Sequence, residues 1–153
     1  GDANDAVAVR MHKAYTFKRN GVHVHYEIAN EGDSTLTTVF APEINVALLA
    51  DDAESARLFT RTKGENPTEI DAGTGIHKDV REIRINDLVN GVGMTIVSDE
   101  PREHWITPVR TVSLRDATVQ TDYQSTAVVH RSPLSLAPGQ TARIELSLRF
   151  DRL

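Results

Sequence analysis

Apolar residues recur at every second position along most of this chain, and glycine, proline, asparagine and aspartate cut the runs at short intervals. A period of two is the mark of strands with one buried face, whereas an amphipathic helix needs a period near 3.6. Long stripes of the helical period are missing. The sequence therefore constrains the chain to an all-β fold of antiparallel sheets with little helix. Turn signals roughly every 8 to 12 residues delimit about nine or ten strands, the pattern of a β-sandwich.

The first run covers Val7 to Lys18, and Arg19-Asn20-Gly21 reads as a hairpin turn because Asn-Gly takes the positive φ angles of a type I′ turn. Val22, Val24, Tyr26 and Ile28 then point inward and His23, His25 and Glu27 outward. Asn30 to Ser34 supplies turn residues, and Thr35 to Ala50 is strand again, with Pro42 marking a bulge or an edge. Here Leu36, Phe40, Ile44, Val46 and Leu48 share a face opposite Glu43, Asn45 and Ala47. Asp51 to His77 is the loosest stretch, with Leu58-Phe59 as its anchor and Asp51 to Arg57 as the best helical candidate. A hairpin around Asn90-Gly91 joins Val80–Leu88 to Val92–Ser98 and sets Ile83 and Ile85 against Met94 and Ile96. Asp99 to Glu103 reads as a charged turn. A strand near Val119 to His130 puts Val119, Tyr123, Ala127 and Val129 on one face. After a turn at Leu136 to Gln140, Thr141 to Phe150 places Ile144, Leu146, Leu148 and Phe150 inside.

Composition excludes several function classes. At 153 residues the chain fits one domain, read here as 7–153 behind a disordered or tag-derived stretch 1–6 that begins at Gly1 without methionine. A net charge of -5 opposes binding to nucleic-acid phosphates. The sequence has no cysteine, which removes disulfides and thiolate chemistry and is compatible with the cytoplasm. Membrane spans need about 18 consecutive apolar residues, and none are present.

Candidate chemistry is sparse. His23 and His25 lie on one strand face and are the only metal candidates, without a third ligand fixed by spacing, so no metal and no cofactor is expected. Adjacent Glu103 and His104 point to opposite strand faces and read as surface charge. The acidic pairs sit in expected turns, no Gly-x-Ser-x-Gly elbow occurs, and the Gly-x-Gly pairs do not open a helix, so no catalytic residue is expected. Trp105, Arg110, Tyr123 and Gln124 remain. An aromatic face can stack on a pyranose and a guanidinium can hold hydroxyls; the alternative is that Trp105 and Tyr123 pack inside with their polar groups bonded.

Those residues belong to a longer pattern. Trp105-x-x-Pro108-Val109-x-Thr111-Val112-Ser113, then Asp116 and Tyr123-Gln124, resembles the C-terminal β-domain of family-57 glycoside hydrolases, the α-amylase/4-α-glucanotransferase group. Gly21-Val22-x-Val24-x-Tyr26-x-Ile28-x-Asn30 and Glu43-Ile44-Asn45 are similar to two further strands of that family, and the likeness spans about residues 15–150. The chain departs from it at Ala117-Thr-Val-Gln120, where the family has Gly-Gly-Phe-Glu, and at Ser125, where it has glycine.

The resemblance implies a galactose-mutarotase-like supersandwich. It further implies a fragment of a larger enzyme, in which a catalytic barrel outside this chain carries the reactive carboxylates. On that reading the chain is a non-catalytic accessory domain that packs on the barrel and borders a glucan groove. Two alternatives stand beside it: an independent carbohydrate-binding module using Trp105, Arg110, Tyr123 and Gln124, and a mutarotase-like sugar epimerase.

Overall fold

A computed structural model describes residues 6–115 and 118–153. Residues 1–5 of the expected tag-derived or disordered stretch lie outside the described residues, as do Asp116 and Ala117 of the family pattern. Ten strands are described: β1 (Val9–Lys18), β2 (Gly21–Asn30), β3 (Leu36–Phe40), β4 (Glu43–Val46), β5 (Ala56–Arg61), β6 (Thr68–Ile70), β7 (Gly75–Asp87), β8 (Val92–Arg115), β9 (Thr118–Leu136) and β10 (Thr141–Arg152). All strand pairs are antiparallel, and no helix occurs among the described residues.

One layer runs β1-β2-β10-β8-β7-β5-β6, while β9 joins β8 and carries β3 and β4. Strand β8 serves both groups. Val92–Ser98 pairs with β10, and Glu103–Arg115 pairs with β9. Between them Asp99–Arg102 pairs with neither β10 nor β9, and the β7 register is irregular there, with Val80 opposite Arg102 and Glu82 opposite Val97. The charged stretch Asp99–Glu103, expected as a turn, is thus the irregular middle of a continuous strand, where β8 exchanges one neighbour for another. A bulge in β7 just before Val80 puts Asp79 at φ 56, the left-handed conformation that bulges tolerate.

Two apolar clusters fill the interior. Leu58, Ile83, Ile85 and Ile96 meet Ile106 and Val128 in one, with Ile44, Val46 and Leu48 of the β4 segment packed on them. Val24, Tyr26, Ile28, Ile144 and Leu146 meet Leu36, Phe40, Leu134 and Leu136 in the other. Burial of a single large aliphatic side chain contributes about 1.5–3 kcal/mol, so these clusters dominate the stability. The alternation expected of β2, of Leu36 to Leu48 and of the β7–β8 hairpin holds, and Ile83 faces Ile96 and Ile85 faces Met94.

Several local expectations are corrected. Asp51 to Arg57 forms no helix: Asp52 Oδ1 accepts from the N–H groups of Glu54 and Ser55 at 3.0 Å, a turn that competes with helical bonding. The loose stretch after it contributes β5 and β6, because Ala56, Leu58 and Thr60 bury alternately against β7. In β9, Val128 and not Val129 faces the core, and Val119 is exposed. Gln124 is the cause: Val109 pairs with Ser125 and Arg110 with Tyr123, so Gln124 bulges out and reverses the alternation. Phe150, expected inside, is 41% exposed near the end of β10, although Ile144 and Leu146 are buried.

Gly21 has a different role from the one its Asn-Gly context suggests. The β1–β2 loop is Arg19-Asn20, and neither Asn20 nor Gly21 has positive φ. Gly21 lies instead where β2 meets β10, and a Cβ there would press on the Leu148 carbonyl oxygen. Replacing Gly21 with alanine should lower stability by about 1–3 kcal/mol, the range for overpacking, measured as a denaturation midpoint. Gly64→Ala, where a Cβ meets nothing within 4 Å, separates this steric cost from the cost of a positive φ alone.

Candidate functional site

Alternation along β8 separates the residues that the sequence groups together. Trp105 is odd-numbered and lies on the outer face with Glu103, while His104, Ile106 and Arg110 take the opposite side. Trp105 is 41% exposed, its Nε1 donates to Glu103 Oε1 at 2.9 Å, and the Arg131 guanidinium sits 4.3 Å from its ring centroid. Arg131 also pairs with Glu103, holding that carboxyl below the usual carboxylate range. One tryptophan face is therefore engaged by this chain's own cation.

Arg110 and Tyr123 are cross-strand partners on the inner side, with the guanidinium 6.0 Å from the phenol ring. Arg110 pairs with Asp51, and Tyr123 Oη shares a 2.8 Å hydrogen bond with Thr126 Oγ1. Burial raises the Tyr123 pKa above its ordinary value. Gln124, at the bulge, donates Nε2 to Thr111 Oγ1 at 3.2 Å. The structure thus joins Arg110 to Tyr123 and leaves Trp105 on another face. Each of the four polar groups is already held by a neighbour.

His23 and His25 project from β2 as alternation requires, both half-buried. A ring nitrogen of His23 lies 3.0 Å from Ser147 Oγ, and His25 sits between Glu145 at 3.3 Å and Glu27 at 3.7 Å. Among the described residues, no three His, Asp or Glu side chains are grouped to hold a metal ion.

A feature that the sequence reading passed over lies beneath Trp105. His104, expected as surface charge, is 1% exposed, and His130 of β9 is fully buried beside it. The register pairs His77, His104 and His130 across three strands. His130 Nδ1 and His104 Nε2 are 2.9 Å apart, one donating and the other accepting. A signal was available: once Trp105 is read as outward, its neighbour His104 has to point in.

Desolvation lowers the His104 pKa to about 4, and desolvation, reinforced by His104 and Arg102, lowers that of His130 to about 3. Burial lowers His77 in the same direction. The pair is therefore neutral at pH 7 and enclosed. A pocket of about 320 Å³ nearby is lined by Lys78, Asp79, Arg102, Glu103 and Arg131, but Arg131 is paired with Glu103 and Arg102 with Glu100 at 3.1 Å. His104 and His130 are not among the residues that line it.

The match to known proteins agrees with this frame. A family model described as alpha-amylase/4-alpha-glucanotransferase, C-terminal, matches residues 1–148. No curated protein sequence matches the chain. Among solved structures, a proposed aldose 1-epimerase of Escherichia coli K12 is similar at 14% identity and TM-score 0.73, covering 97% of this chain and 62% of that one. The 4-alpha-glucanotransferase of Thermococcus litoralis is similar at 18% identity and TM-score 0.65, covering 99% of this chain and 20% of that one. A galactose mutarotase related enzyme of Lactobacillus acidophilus is similar at 9% identity and TM-score 0.60, covering 94% of this chain and 61% of that one. The chain thus spans less than two thirds of each, and at these identities the likeness shows the fold alone: an all-β, galactose-mutarotase-like sandwich.

The buried pair makes a pH prediction. A histidine free in the unfolded chain takes up its proton near pH 6.5, so below that pH the unfolded state binds more protons than the folded state. Stability should be level above about pH 7 and fall as the pH drops from 6.5 towards 4, by on the order of 2 kcal/mol per histidine at pH 5. Urea unfolding at pH 7.5, 6 and 5 checks this, and the His104→Gln/His130→Gln double variant should flatten the slope.

Proposed function

This chain belongs to the alpha-amylase/4-alpha-glucanotransferase C-terminal family, and from that premise we propose that it is the non-catalytic accessory β-domain of an α-glucan-acting glycoside hydrolase or 4-α-glucanotransferase. Residues 7–153 form one sandwich of a longer enzyme; a catalytic barrel outside this chain carries the reactive carboxylates, and the sandwich packs on it and borders its glucan groove. The observation that carries the reading is the family match over residues 1–148. The site geometry supports it. Acid–base catalysis needs a titratable group within reach of the substrate, whereas His104 and His130 are enclosed and Arg110, Arg131 and Glu103 are engaged with neighbours. The same enclosure weighs against a mutarotase-like epimerase. A cytoplasmic setting accords with the lack of cysteine; no helix among the described residues is long and apolar enough to cross a membrane.

A second reading, an independent carbohydrate-binding module, is favoured by the exposure of Trp105 alone. It requires a sugar to displace Arg131 from the ring or to use the opposite ring face, at a cost in the existing cation–π contact.

Incubation of this chain with maltooligosaccharides is expected to give neither hydrolysis nor transfer, and turnover by the chain alone contradicts the accessory reading. Trp105 is the only tryptophan, so acrylamide quenching of its fluorescence reports this site alone. Quenching should be partial and unchanged by maltoheptaose. Protection by the sugar, lost in Arg131→Ala or Glu103→Gln, would transfer the function to the binding-module reading.

A further inference from the structure

The inner face of β1 is the place where the interior runs out of cover. Met11, Tyr15 and Phe17 pair in register with Ile28, Val24 and Val22 of β2, which belong to the packed interior. Alternation therefore turns the three side chains toward the same side as that core. They are nevertheless exposed, Phe17 to 78%, because the covering strands pack on β2 and β10 and stop short of β1. Tyr15 and Phe17 stack on each other with centroids 6.4 Å apart. β1 is also an end strand of its layer, with nothing beside its free edge among the described residues. An uncovered apolar face on an open edge is a template for one more strand.

Charge selects which strand. In a chain with net charge -5, β1 and the turn after it carry Arg10, Lys13, Lys18 and Arg19 and no acid. Arg10 is engaged by Glu31, but Lys18 and Arg19 have no carboxylate partner among the described residues. Lys13 lies over the Tyr15 ring at 4.8 Å, inside the apolar face. Two copies pairing through β1 would bring like charges together, so the cations act against self-pairing and favour an acidic partner.

Resting on the accessory-domain reading, we infer that β1 is the edge through which this domain docks to its catalytic partner, receiving an extended segment of alternating apolar and acidic residues. The apolar residues of that segment would extend the interior over Met11, Tyr15 and Phe17. Its carboxylates would fall on the other face, beside Lys18, and near Arg19 of the turn.

Isothermal titration of the chain with a synthetic decapeptide of alternating valine and glutamate, and with the valine–lysine counterpart, tests this. The acidic peptide should bind, the basic peptide about tenfold or more weakly, and Lys18→Glu or Phe17→Ser should each weaken the acidic peptide by about tenfold. Both positions are exposed, so the variants should keep the far-ultraviolet circular dichroism of the parent chain; the two peptides against the unaltered chain decide the matter even if they do not. Equal affinity for both peptides, or no binding at millimolar peptide, overturns the inference. So does self-association of the chain that Phe17→Ser abolishes, which would assign the edge to a second copy. Turnover of maltooligosaccharide by the chain would refute the accessory reading through a separate measurement.

Discussion

Strand β8 has to satisfy two sets of neighbours, and most of the architecture follows from that. Its first half completes the layer of β10 and β7, and its second half carries β9 with β3 and β4 attached. The exchange of partners takes place around Asp99-Glu-Pro-Arg102, where a proline can sit because regular laddering is already interrupted. Stacked apolar faces on either side of the exchange give the two core clusters, and Ile106 and Val128 tie the β8–β9 pair to the first. Residues near the exchange must therefore pack on both sides. His104 and His130 do so as a neutral, hydrogen-bonded pair enclosed by the fold.

That enclosure separates the chemistry of this chain from its composition. Six histidines and 22 acidic residues offer many nominal acids and bases. The two histidines in closest contact are desolvated until they stay neutral, and charged groups around Trp105 and Tyr123 are committed to one another. Groups committed in this way accord with the proposed role beside a catalytic neighbour. Binding energy for such a neighbour comes more readily from uncovered apolar area than from ion pairs exposed to solvent.

Much of the fold was legible in the residues because alternation is a local signal. Val24, Tyr26, Ile28, Ile144 and Leu146 could be placed inside from spacing alone, and Asn90-Gly91 marked its hairpin, with Gly91 at φ 63. What spacing could not supply was any event that breaks the period. The bulge at Gln124 turned Val128 inward in place of Val129, and the partner exchange in β8 kept a charged, proline-containing stretch within a strand. Weakly patterned Ala56 to Ile70 became β5 and β6 only through pairing with β7 and with each other. The site was less legible than the fold. The family spacing found the right strands, but Trp105 and the Arg110–Tyr123 pair face opposite ways, and His130 has a meaning only once β8 and β9 are paired.

The claim that the chain's buried imidazoles are part of its framework, closed to substrate, is tested most directly by nitrogen-15 NMR of the histidine side chains across pH 5 to 8. The account predicts that His104 and His130 stay neutral through that range, one ring donating to the other, and do not respond to maltooligosaccharide. Titration of either ring near pH 6.5, or a shift on adding sugar, would show a solvent-open acid–base pair and contradict it.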